Sequence, residues 1–88
     1  METINFTAEA LENLEHWNKS GNTIILKRIR QLLQAIQTDP FNGIGKPEAL
    51  KHNFSGMWSR RINQEHRIVY KVEENIITVY SLRFHYAK

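Results

Sequence analysis

Polar and apolar residues alternate over residues 2 to 6, which predicts a short strand. Thr7 then stands where a helix needs a cap, because its hydroxyl can accept one of the N–H groups that the first turn leaves unpaired. A helix over 8 to 19 follows, with Leu11, Leu14 and Trp17 as its expected buried stripe. Ser20-Gly21-Asn22 stops it, since glycine tolerates the left-handed backbone that ends helices, and Asn22 can cap the next. Ile25, Ile29, Leu32, Leu33 and Ile36 recur at helical spacing over 23 to 38, until Asp39-Pro40 ends the run. So short a connection predicts an antiparallel helical hairpin with one apolar side.

Residues 40 to 47 hold both prolines together with Gly43 and Gly45, the composition of an irregular loop. After it the apolar period drops from 3.6 to 2. Residues 57 to 63, 66 to 73 and 76 to 84 read as three strands with tight connections at 63 to 65 and 73 to 75, and residues 48 to 52 can add a short one. The predicted class is α+β: one domain over residues 1 to 88, a helical hairpin packed on a mainly antiparallel sheet of four to five strands. Alternation puts Arg67, Val69 and Lys71 on the face opposite Ile68, Tyr70 and Val72. It also separates Arg61, which shares parity with Met57 and Ser59, from Arg60, which shares it with Trp58 and Ile62. On the last strand both parities carry apolar residues, so the pattern does not say which side the helices cover.

Charge sharpens this picture. Residues 1 to 44 carry four Lys/Arg against five Asp/Glu, a balance of −1, whereas residues 45 to 88 carry eight against four, a balance of +4. His52, His66 and His85, with Trp58, Tyr70, Tyr80, Phe84 and Tyr86, lie in the basic half. Cations interleaved with aromatics suit a polyanion with stackable bases, RNA or single-stranded DNA, although a solvated basic face would have the same composition. Cysteine is absent, which excludes disulfides, thiolate ligands and a cysteine nucleophile. Neither a basic-then-apolar leader nor a span of membrane length is present, so a cytoplasmic protein is expected.

Several segments carry candidate chemistry. Lys46-Pro47-Glu48 sets a carboxylate after a rigid loop, and proline should bias Lys46 toward extended geometry. Lys51-His52-Asn53 and Trp58-Ser59-Arg60-Arg61 are basic stretches flanking a turn at Ser55-Gly56. Arg60 and Arg61 can equally be edge-strand charges, and Trp58 can be core or a stacking platform. His66-Arg67 opens one strand, and Arg83-Phe84-His85-Tyr86 nearly ends the chain. Cutting RNA without a metal needs a base for the 2′-hydroxyl, a cation for the phosphorane-like charge and an acid for the leaving 5′-oxygen. Glu48, Arg67 and His85 offer one of each. The histidine spacings have no acidic partner at a zinc-motif offset, which argues against a metal site, and no cofactor is expected.

Taken together, Gly45-Lys46-Pro47-Glu48-Ala49-Leu50-Lys51-His52-Asn53, Ser55-Gly56-Met57-Trp58-Ser59-Arg60-Arg61-Ile62, Glu65-His66-Arg67-Ile68-Val69-Tyr70 and His85-Tyr86 closely resemble the YoeB (Txe) toxins of the RelE superfamily. The resemblance implies a RelE-like fold and an mRNA endonuclease that works in the ribosomal A site and is neutralised by a YefM-type antitoxin. It implies Glu48 as general base, Arg67 as transition-state cation, His85 as general acid and Tyr86 as the aromatic that orients the substrate. Lys51, His52, Trp58, Arg60 and Arg61 become candidates for RNA contacts, and a homodimer is left open. The chain departs from the pattern by continuing through Ala87 and Lys88. Two other readings stand beside this one: a non-catalytic module that binds the ribosome or another polyanion, and a ParE-like inhibitor of a topoisomerase.

Overall fold

The computed structural model of the chain describes residues 3–84. Strand β1 (Thr3–Phe6) leads into helices α1 (Ala8–Ser20) and α2 (Thr23–Thr38). After the 39–47 loop come β2 (Glu48–Ala49), a 3-10 turn (His52–Phe54), β3 (Met57–Arg61), β4 (Arg67–Glu73) and β5 (Ile76–Ser81). The five strands form one sheet in the order β1-β5-β4-β3-β2. β1 runs parallel to β5 and every other pairing is antiparallel. The predicted α+β class holds, and the sheet has five strands where four to five were expected.

Both helix starts are built as their sequences predict. Thr7 Oγ1 accepts from Ala10 N at 3.1 Å while its own hydroxyl donates to Tyr80 O at 3.0 Å, so one side chain caps α1 and ties it to β5. Asn22 Oδ1 accepts from Ile25 N at 3.1 Å to cap α2, and such a cap contributes about 1 kcal/mol. Gly21 closes α1 at φ 70°, where glycine carries no side-chain penalty.

One core lies between the helices and one face of the sheet. Ala10 and Trp17 of α1 and Ile25, Ile29, Leu32 and Ile36 of α2 pack with Ile68, Tyr70, Ile77, Val79 and Leu82. Leu11 corrects the expected stripe: it is 54% exposed, and Ala10 takes its place against the sheet. The stripe is Ala10, Leu14 and Trp17, at spacings of four and three, and alanine's small side chain lets the start of the helix lie close to the sheet.

The strand ends also depart from the expectation. β3 stops at Arg61, because Ile62 N and Asn63 N both turn to His66 O. Between β4 and β5, Glu74 and Asn75 take φ 48° and 68°, the doubly left-handed pair of the favoured two-residue hairpin turn. β5 carries a bulge: Val69 pairs with Ser81 and Tyr70 with Val79, leaving Tyr80 as the extra residue. The bulge flips side-chain parity beyond it, so Leu82, not Ser81, returns to the core. Simple alternation across 76 to 84 could not anticipate that reversal.

Candidate active site

Neither α1 nor α2 packs on the opposite face of the sheet, where Ser59 and Val69 are nonetheless buried, and register fixes what shares it. Glu48 pairs with Ser59, Ser59 with Val69 and Val69 with Ser81, a row that crosses four strands. Two residues along, Arg61 pairs with Arg67. Alternation therefore brings Glu48, Arg61 and Arg67 to one face. Two strand spacings of roughly 4.8 Å separate the β2 and β4 backbones, and Arg67 lies two residues, about 7 Å, along β4 from the row of Glu48. Arg67 is half-buried, whereas Glu48 and Arg61 are exposed. A base and a fixed cation flanking one anion site can take a proton and stabilise the charge that develops.

Beside this row lies a cleft of about 390 Å³ lined by Phe54, Met57, Val69, Tyr80, Ser81 and Phe84, with Glu9 and Arg83 at its edge. Tyr80 and Phe84 were read from the sequence as aromatics of the basic half, but not as walls of one cleft with Phe54, Met57 and Val69. The β5 bulge creates it by presenting Tyr80 and Ser81 on the same side, and a bulge has no marker in this strand's composition. The available signal was that pair of aromatics, Tyr80 and Phe84. Arg83 stacks over the Phe84 ring at 4.4 Å, a cation–π contact.

Glu48 owes its direction to the loop before it, and Arg60 holds that loop. Arg60 is completely buried. Its Nη2 donates to Asp39 O at 2.6 Å and Asn42 O at 3.0 Å, its Nη1 to Ile44 O at 3.1 Å and its Nε to Tyr70 Oη at 3.1 Å. Tyr70 in turn donates to Pro40 O at 2.6 Å. Burial raises the Tyr70 pKa above its ordinary value, outweighing the neighbouring guanidinium, so the hydroxyl stays protonated and able to donate. Four acceptors around one cation offset its removal from water.

Arg60 thus leaves the set of candidate RNA contacts. It points to the helix side and its donors are committed to loop carbonyls. Trp58 shares the parity of Arg60 and packs, partly buried, on the core side, with Phe41 at 4.9 Å between ring centres. Lys51 and His52 are exposed around the 3-10 turn, and Arg61 is exposed on the face away from the helices. His85 and Tyr86 lie outside the described residues.

Lys46 also departs from the expectation that its proline neighbour would keep it extended. It takes φ 53°. Arg61 N donates to Gly45 O at 2.7 Å, and Glu48 pairs with Ser59. Three chain steps on the loop side therefore face two on β3, and the left-handed turn at Lys46 absorbs the excess. Gly45 itself sits at φ 85°, and a methyl group there would lie 2.7 Å from Leu32 Cδ2 and 3.1 Å from Arg60 Cβ. Gly45→Ala should therefore cost about 2 kcal/mol through backbone strain and overpacking, readable as a lower urea midpoint.

Comparison with known proteins agrees with this architecture along the whole described chain. Residues 6–86 match the profile of the YoeB-like toxin of bacterial type II toxin-antitoxin systems. Toxin YoeB of Synechocystis sp. is 53% identical over 72 residues, 82% of this chain and 84% of the relative. The YoeB/ParE toxin from Agrobacterium tumefaciens superposes with a TM-score of 0.89 at 35% identity, covering 96% of this chain and 99% of that one. The toxin in the heterotetrameric YoeB–YefM complex from Staphylococcus aureus superposes at 0.86 with 40% identity, covering 98% and 99%. With a matching profile over nearly its full length and relatives this similar in sequence and fold, the chain belongs to the YoeB-like toxins of bacterial type II toxin–antitoxin systems.

Proposed function

We propose that this toxin is an mRNA endoribonuclease that acts on the translating ribosome and needs no metal ion. The observation that carries the reading is the shared sheet face of Glu48 and Arg67, next to an aromatic-walled cleft. Glu48 takes the proton of a 2′-hydroxyl, and the freed oxygen attacks the adjacent 3′-phosphate. Arg67 stabilises the charge that builds on the phosphoryl oxygens, while His85 protonates the departing 5′-oxygen and Tyr86 orients the substrate. The products are a 2′,3′-cyclic phosphate and a 5′-hydroxyl. Lys51, His52 and Arg61 contact the RNA backbone, which the +4 balance of residues 45 to 88 attracts.

Support for His85 comes through Phe84. The Phe84 carbonyl accepts from Arg67 N at 3.2 Å, and His85 is the next residue in the chain.

An unrestrained nuclease of this kind harms its own cytoplasm. A YefM-type antitoxin, with an acidic segment that folds onto the basic face, is the partner that the Staphylococcus aureus complex suggests. The test is to map mRNA ends on purified ribosomes in the presence of EDTA. Parental protein is expected to leave cyclic-phosphate ends, and Glu48→Ala to lower their rate by a factor on the order of 10²–10⁴. Blocked translation with intact mRNA would instead support a non-cutting ribosome binder, and parental cutting by Glu48→Ala would remove Glu48 as the base.

A further inference from the structure

His66 is a buried, nucleophilic ring that the chemistry above does not use. What it touches is the segment after β5. Residues 82 to 84 have no strand partner, yet three side chains from elsewhere take up their backbone groups. Asn13 Oδ1 accepts from Leu82 N at 2.8 Å, Trp17 Nε1 donates to Leu82 O at 2.9 Å, and His66 Nδ1 accepts from Phe84 N at 2.7 Å. With the Arg67 N–H on the Phe84 carbonyl, the dipeptide His66-Arg67 grips both polar groups of Phe84.

The grip fixes the state of the ring. A peptide N–H can only donate, so Nδ1 carries no proton and the ring proton sits on Nε2, which faces Glu65 Oε1 at 3.6 Å. The ring cannot easily turn. Trp17 meets it edge-on at 4.8 Å, and the His66 backbone is pinned by Asn63 Oδ1 at 2.7 Å. Phe84 is held at φ 66°, a conformation that a bulky residue keeps only where its surroundings impose it.

We propose that His66 is a positioning residue for cleavage: its unprotonated Nδ1 sets the orientation of Phe84, which lines the cleft and whose carbonyl holds the backbone of Arg67. This rests on the nuclease reading given above. A ring that served packing alone would be replaceable by any side chain of similar bulk. A positioning ring is replaceable only by one that puts an acceptor where Nδ1 stands. Asparagine does so with Oδ1, while glutamine carries its acceptor one bond further out.

The test compares His66→Asn, His66→Gln and His66→Phe in single-turnover mRNA cleavage on purified ribosomes, with ribosome affinity measured alongside and Phe84 amide exchange followed by NMR. His66→Asn should cleave within about threefold of the parent, while His66→Gln and His66→Phe lose about a hundredfold in rate, the scale of an ångström misplacement, with affinity little changed. Phe84 exchange should stay slow in the parent and His66→Asn and become fast in His66→Gln. Equal cleavage by the Asn and Gln variants, or a loss that follows weaker ribosome binding, would overturn the proposal. If the parent cut nothing, the nuclease reading would fall instead, and the exchange comparison would decide the clamp by itself: equal Phe84 protection in the Asn and Gln variants would remove it.

Discussion

Replacing Arg60 with leucine should lower folding stability by about 3–5 kcal/mol, since three loop carbonyls and the Tyr70 hydroxyl lose their donor together and a buried polar group left unpaired costs 1–3 kcal/mol. Leucine restores apolar contact but supplies no hydrogen bond at a side chain that is completely buried. For a chain of 88 residues that loss approaches the whole margin between folded and unfolded states. Chemical denaturation of parent and variant at one temperature measures it directly. Arg60→Lys should recover only part, because one ammonium cannot reach acceptors arranged around a planar fork. A change below about 1 kcal/mol for the leucine variant would mean that the loop is held by something other than this guanidinium.

The second large effect concerns Arg67, and it should appear in activity rather than stability. Arg67→Ala is expected to slow mRNA cleavage by a factor on the order of 10³, as loss of a preorganised charge-stabilising donor does. Its half-buried side chain lies on the face of β4 away from the Ile68 and Tyr70 core, so the denaturation midpoint should move less than it does for Arg60→Leu. Arg61, its cross-strand neighbour, is exposed, and Arg61→Ala should weaken binding in a salt-dependent way with a smaller effect on the chemical step. Single-turnover rates across a salt series separate the two. Equal, salt-sensitive losses at both positions would reduce Arg67 to one more backbone contact.

How far these features could be read from the sequence depended on how local their causes were. Thr7, Asn22 and Gly21 mark helix ends through chemistry within a few residues, and both helices start and stop as those residues predict. The parity of Arg60 against Arg61 was equally local and equally right. What the alternation could not give was which parity faced the helices, because apolar residues occupy both, and Arg60 and Trp58 were therefore kept as candidate RNA contacts until the fold placed them on the core side. Leu11 misled for the reverse reason: a large apolar residue at a suitable spacing, displaced because close helix–sheet approach favours the neighbouring Ala10. The bulge at Tyr80 and the left-handed Lys46 arise from register between distant strands, and no short window contains that information. Family membership was legible because the Lys-Pro-Glu, Trp-Ser-Arg-Arg and His-Arg segments occur together in one chain.

That Glu48 and Arg67 act on one phosphate can be tested by a double-mutant cycle on single-turnover cleavage of ribosome-bound mRNA. Groups that work as a unit on one reacting centre are strongly non-additive, so the Glu48→Ala/Arg67→Ala double variant should cleave within roughly tenfold of the slower single variant. Losses that multiply in full, each variant slowing the reaction by the same factor whether or not the other is present, would mean that the carboxylate and the guanidinium act independently, and would contradict their sharing a site.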